Sequence, residues 1–248
     1  MNEKERADLK HELRTRLEFY RDLGVEFLVS PRKTSGKDGA ATAENQLLIA
    51  SGFSGAGGEI TPDGEEWERL IRKIMGCQAC PLFKGRTQAV PGEGNRQARL
   101  MFVGEAPGRD EDLQGRPFVG RAGQLLTRII QAMGFSREEV YIANVIKCRP
   151  PENRTPRPDE VKACSPYLLR QIDLIRPKVI VALGKVATDF LLQSPKSMSE
   201  LRGNFGEFQG IPVMPTFHPS YLVRNEGNKE IKKMVWEDMK KVLELLKS

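Results

Sequence analysis

Seven residues in this 248-residue sequence are of types and spacings that could do chemistry. Four are cysteines: a pair in Cys77-Gln78-Ala79-Cys80, then Cys148 and Cys164, separated by fifteen residues. A Cys-x-x-Cys pair serves as buried thiols, as a redox couple or as half of a metal site, and the spacing alone leaves zinc and an iron-sulfur centre both open. Four cysteines are too few for a disulfide scaffold, and a reducing compartment disfavours disulfides in any case.

The other three are Glu105, Asn144 and His218. Glu105 stands in Gly104-Glu105-Ala106-Pro107-Gly108, which leads into Arg109-Asp110-Glu111-Asp112 and then Gly115-Arg116-Pro117-Phe118-Val119-Gly120. The loop lacks the G-x-G-x-x-G of a dinucleotide site, and the residues before Gly184-Lys185 do not complete a phosphate loop. Asn144 closes the run Tyr141-Ile142-Ala143-Asn144, and His218 follows Thr216-Phe217. Taken singly, a strand asparagine is usually a satisfied polar group and a lone histidine is usually structural. Their common position at the ends of strands raises all three.

The elements that must place them are legible from residue 65 onward. Apolar periodicity predicts helices over 65–76, 121–133, 158–175, 185–193 and 228–247, alternating with strands over 99–103, 140–146, 179–183 and 211–217. Strands alternating with helices imply a parallel sheet covered on both faces. The expected fold is a three-layer αβα sandwich around a central four-stranded, mainly parallel sheet. Ligands bind such sheets outside the carboxyl ends of the strands, where Glu105, Asn144 and His218 all fall. Ahead of this catalytic domain (65–248), Leu9, Leu13, Leu17 and Tyr20 mark an amphipathic N-terminal helix within 1–29, a candidate for docking a protein partner. Residues 30–64, rich in Gly, Ser, Thr and Ala, are expected to be a flexible linker.

The charge balance points to a polyanionic partner. Lys and Arg outnumber Asp and Glu by 39 to 33, and the pI is near 9.2. The first sixty residues carry nine basic and ten acidic side chains, so the surplus belongs to the rest of the chain. No segment approaches the ~20 apolar residues of a membrane span, and the start MNEKERADLK lacks the apolar core of a signal peptide. A cytoplasmic, nucleoid-associated monomer without a membrane partner is expected.

The ordered motifs GEAPG, RPFVG, the Asn-bearing strand before KCRPPENR, and HPSYL, together with the four cysteines, resemble the family 4 uracil-DNA glycosylases. The likeness covers residues from about 65 to 248. It implies an enzyme that flips uracil out of single- or double-stranded DNA and hydrolyses its N-glycosidic bond. It also implies a structural [4Fe-4S] cluster on Cys77, Cys80, Cys148 and Cys164. By the same likeness Phe118 stacks on the flipped base, Gly104 and Ala106 line its site, and Asn144 reads the uracil edge. His218 then donates to O2 of the departing uracil, and Glu105 acts near the sugar. Ala106 departs from superfamily members that carry Asp there. Leu222 resembles the residue that fills the hole left by the base. Lys147, Arg149, Arg154, Arg157 and Arg224 are expected on DNA phosphates.

Two other readings remain at this point. A relative that becomes covalently trapped on uracil-DNA uses a histidine in an inserted basic loop, and residues 109–120 contain none. A non-catalytic iron-sulfur or zinc nucleic-acid-binding module fits the charge and the cysteines but leaves Glu105, Asn144 and His218 unexplained.

Overall fold

The computed structural model describes residues 62–247. The predicted N-terminal helix and nearly all of the linker lie outside the described residues.

Short, mainly apolar runs form the strands at the centre. Strands β2 (Leu100–Gly104), β3 (Tyr141–Asn144) and β4 (Val179–Leu183) are buried at every position. Such runs suit parallel strands covered on both faces. With β6 (Ile211–Thr216) they form the parallel core, in the order β3-β2-β4-β6. The expected four strands are therefore present, but the sheet has six: β1 (Glu93–Gly94) and β5 (Gly206–Phe208) add antiparallel edges beside β3 and β6. Two- and three-residue strands carry too little pattern to read from sequence. Pro215 of β6 has no N–H to give, and β5 pairs only as far as Val213.

Alternate residues of each strand feed opposite layers. Leu100, Phe102, Val179 and Val181 pack with helices α3 (Arg121–Ala132), α7 (Pro219–Arg224) and α8 (Lys229–Lys247). Met101, Val103, Ile180 and Ala182 pack with α1 (Pro62–Met75), α4 (Pro158–Ile175) and α5 (Lys185–Leu192). Each fully buried Leu or Ile contributes roughly 1.5–3 kcal/mol. Helix α1 starts three residues inside the segment expected to be linker. The short helices α2 (Arg109–Gln114) and α6 (Met198–Leu201) complete the α-helices among the described residues.

The chain runs from β2 outward to β3, then returns across β2 to β4. This reversal opens a crevice at the carboxyl ends of β2 and β4.

Candidate active site

A cleft of about 840 Å³ occupies that crevice. Glu105, Ala106, Phe118, Arg154, His218 and Arg224 all line it, so side chains more than a hundred residues apart converge there, whereas Gly104 and Asn144 sit beside Phe118 and are not among its lining residues.

Gly104 makes a close approach between Asn144 and Phe118 possible. A Cβ there would stand 2.4 Å from Oδ1 of Asn144 and 2.4 Å from Cζ of Phe118. Any other residue would fill the space where those two side chains meet. Asn144 is 1% exposed, and its Oδ1 has no hydrogen-bond partner among the described residues. A buried acceptor left unpaired costs about 1–3 kcal/mol, which suits an oxygen reserved for a ligand's donor. Its backbone is fixed on both sides: Val145 N–H donates to the Gly104 carbonyl at 2.9 Å, and Nζ of Lys147 donates to the Asn144 carbonyl at 2.8 Å.

Lys147 is thus not a phosphate contact, which corrects the sequence reading. It is 1% exposed, and Nζ also donates to Gln171 Oε1 at 2.7 Å. Burial lowers its pKa to about 8. The residues after β3 stay in the interior until Cys148, so a lysine beside a strand end points inward here.

Phe118 presents its ring 5.6 Å from that of His218, tilted by 34°. Its φ of 53° is uncommon for a residue with a Cβ. The loop is held by groups that sequence reasoning missed. Glu111 accepts from the N–H groups of Gly108, Val119 and Gly120 at 3.0, 2.8 and 2.9 Å. The signal for it was present: an acidic residue three positions after a glycine at a helix start. Arg137 donates to the carbonyls of Pro117 and Phe118 and is ion-paired with Glu93. Burial works the other way, but hydrogen bonds from Arg116 and Arg137 hold the Glu93 carboxyl below its usual range.

His218 caps α7. Its Nδ1 accepts the Ser220 N–H at 3.1 Å and lies 2.8 Å from Ser220 Oγ. A backbone N–H can only donate, so Nδ1 accepts and a neutral ring carries its proton on Nε2. Burial, followed by the nearby Arg224 charge, lowers the His218 pKa to about 4. The imidazole is therefore neutral at physiological pH, with Nε2–H as its donor. Behind it, Thr216 Oγ1 donates to buried Asp238 at 2.6 Å, and Asp238 is ion-paired with Arg202. Gly184 leaves room for the histidine, since a Cβ there would meet His218 Cβ at 2.9 Å.

Burial raises the Glu105 pKa above the ordinary carboxyl value. Its carboxylate has no hydrogen bond or ion pair among the described residues. A partly desolvated, unpaired carboxylate can orient a water or face a developing cation.

Several expected DNA contacts are placed differently. Leu222 is 1% exposed and packs in the core with α3 and α8, so it does not stand free as a wedge. On the six-residue α7, the exposed neighbour is Tyr221, which also lines the cleft. Arg154 reaches the cleft but donates through both terminal nitrogens to Glu160, at 2.8 and 2.6 Å. Arg149 donates to Asn153 Oδ1 at 2.7 Å. Arg157 and Arg224 are exposed.

All four cysteines line a second, smaller pocket. Cys77 follows α1, Cys80 begins the 3-10 turn Pro81–Lys84, Cys148 follows β3, and Cys164 lies within α4. The pocket joins the segment before β2 to the loop and helix after β3. Donors already face the sulfurs: Arg86 Nη1 lies 3.0 Å from Cys148 Sγ, Lys147 N 3.2 Å from Cys164 Sγ, and Ala79 N 3.4 Å from Cys77 Sγ. Arg86 also donates to the Met75 carbonyl at 2.8 Å. Among the described residues, no three His, Cys, Asp or Glu side chains are grouped to hold a metal ion.

The sequence model of the Uracil DNA glycosylase superfamily matches residues 91–240. A type-4 uracil-DNA glycosylase from Thermotoga maritima is 51% identical over 185 residues, covering 74% of this chain and 96% of that protein. Its counterpart from Saccharolobus solfataricus is 48% identical over 188 residues, covering 72% and 86%. The Archaeoglobus fulgidus type-4 enzyme is 43% identical over 189 residues, covering 73% and 94%.

Proposed function

Because the chain belongs to the uracil-DNA glycosylase superfamily, we propose that it excises uracil from DNA as a monofunctional glycosylase, leaving an abasic site for repair. The observation that carries this reading to a particular base is the unpaired, buried Oδ1 of Asn144. Uracil carries a hydrogen on N3 and can satisfy that oxygen. Cytosine has an unprotonated N3 and would set acceptor against acceptor. The side-chain amide of Asn144 can donate to uracil O4, where cytosine has an amino group.

The base must leave the helix to reach the cleft, since the target bond is inaccessible within a duplex. Phe118 provides an aromatic face for it, a contact worth about 1–3 kcal/mol per base in single-strand binding systems. Cleavage of the glycosidic bond puts negative charge on uracil, and Nε2–H of His218 supplies a neutral donor for O2 in this reading. Such a donor strengthens its bond as charge develops, so it acts mainly on the transition state. Glu105 orients the attacking water and offsets positive charge at C1′. Lys185 lines the cleft but is ion-paired with Asp189, so no free amine there is set to attack the sugar. The strand is left intact.

We assign a [4Fe-4S] cluster to Cys77, Cys80, Cys148 and Cys164. The donor set fits it: four thiols share one pocket, and N–H groups point at three of the sulfurs. Burial raises Cys80 and Cys148 and pushes Cys164 up to about 12, so ligation has to displace protons from these thiols. When bound, the cluster supplies a cross-link rather than redox chemistry, because hydrolysis transfers no electron. Lys147, whose backbone N–H faces Cys164 Sγ and whose Nζ donates to the Asn144 carbonyl, runs between that cross-link and Asn144.

Basic rim residues, with Arg109, Arg121 and Arg224 exposed around the cleft, suit a DNA backbone. Among the described residues no helix is long and apolar enough to cross a membrane. We place the protein in the cytoplasm with the nucleoid.

An oligonucleotide with one deoxyuridine tests the function. Free uracil and an alkali-labile site are expected from an otherwise intact strand, with no base released from a matched cytosine strand. Asn144→Asp, which removes the amide donor, is expected to lower kcat/KM on uracil and weaken the discrimination. Absence of uracil release by the wild-type protein would refute the reading.

A further inference from the structure

We propose that Tyr221, rather than Leu222, enters the base stack when uracil leaves a duplex; the inference rests on the glycosylase reading of the cleft. A side chain that plugs a vacated base position must be solvent-exposed, sit at the mouth of the base pocket and offer a flat apolar face. Leu222 fails the first condition. It is 1% exposed within the core formed with α3 and α8, and withdrawing it would leave a cavity.

Tyr221 meets all three. It is 38% exposed and lines the cleft. It lies three residues after His218, so the two share one side of α7, and its N–H donates to the His218 carbonyl at 2.8 Å. The ring is backed by Phe217, centroid to centroid 5.0 Å, so it is held upright without being covered. Phe217 itself rests against the Arg202 guanidinium at 6.0 Å. Arg121 and Arg224 stand on the same rim, where phosphates flanking the gap would pass. A base drawn in toward His218 leaves its former place in the stack beside this ring. An aromatic face restores stacking on the neighbouring bases.

A gap held open in the stack by a complementary strand exists only in a duplex. A platform for the flipped base itself would matter equally on single strands, and this separates the plug from a second base-binding ring. The test is single-turnover excision of one deoxyuridine, on the same oligonucleotide single-stranded and paired with its complement. Tyr221→Ala is expected to lower the duplex rate about tenfold or more, on the scale of lost base stacking, while the single-strand rate changes less than about threefold. Tyr221→Phe should behave as wild type, because only the ring face is used. Tyr221→Gln repeats the measurement with a longer, polar side chain that has no ring. Leu222→Ala should lower the melting temperature and leave the ratio of duplex to single-strand rates unchanged.

Equal losses on both substrates, or no loss with Tyr221→Ala and Tyr221→Gln, overturn the proposal, as would a duplex defect confined to Leu222→Ala. A Phe variant as weak as Ala would assign the role to the hydroxyl instead, and also overturns it. Wild-type protein inactive on both substrates would sink the glycosylase reading itself, a distinct outcome.

Discussion

The guanidinium of Arg137 donates to the main-chain carbonyl of Phe118 at 3.1 Å. A left-handed phenylalanine costs on the order of 1–3 kcal/mol and persists only where its surroundings over-determine it. Arg137 supplies much of that restraint through Pro117, Phe118 and Thr127, with Glu93 holding the arginine in turn. Arg137→Gln is expected to reduce the single-turnover rate per active molecule roughly tenfold, on the scale of a lost charged hydrogen bond. Non-specific DNA affinity should stay constant, since the role proposed for Phe118 is contact with the flipped base. A normal rate with only a lower melting temperature would confine Arg137 to stability.

The neutral His218 has consequences for pH. In the unfolded chain its imidazole takes up a proton below about 6.5, whereas in the folded protein it waits until about 4. Between those values the unfolded state binds more protons, so this group makes stability fall as pH drops through the window. The Nε2–H donor persists throughout it. The excision rate should therefore show no histidine inflection near 6.5, and its acid limb should follow protonation of Glu105, displaced above the ordinary carboxyl value. Single-turnover profiles of wild type and Glu105→Gln check this. An inflection near 6.5 that disappears in a His218 variant would contradict the neutral assignment.

The cysteine pocket predicts colour. Anaerobically purified protein should be brown, with broad absorption at the blue end of the visible range and about four irons and four sulfides per chain. Cys148→Ala should bleach the absorption and lower the melting temperature more than it changes the rate of the molecules that stay folded. Zinc without iron in the purified protein would overturn the assignment.

The legible and illegible parts of the molecule differ for physical reasons. Strands such as Val179–Leu183 are continuous apolar runs, and helices such as Arg121–Ala132 carry a long amphipathic period, so both announce themselves locally. Because strand ends in a parallel sheet share one rim, the common edge that carries Glu105, Asn144 and His218 could be read without coordinates, although of the three only Glu105 and His218 line the cleft. Edge strands of two and three residues could not be. Nor could the orientation of α7, whose six residues are too few to tell Tyr221 from Leu222 by period. Lys147 was misread because charge in sequence suggests solvent, while the fold surrounds it with Gln171 and the Asn144 carbonyl. The supports of the site are partners distant in sequence: Arg137 with Glu93, and Asp238 with Thr216. Each is an ordinary charged residue until the fold brings its partner within reach.

The link between cleft and chemistry is tested most directly by His218→Ala, assayed in single turnover on a deoxyuridine oligonucleotide after titration of active sites. Loss of one preorganised donor to a developing anion lowers a rate by roughly 10²–10³. That reduction is expected here, with affinity for uracil-containing DNA nearly unchanged, because the bond to O2 gains its strength only as uracil departs. A variant whose folded molecules release uracil at the wild-type rate would remove His218 from the reaction and contradict the account.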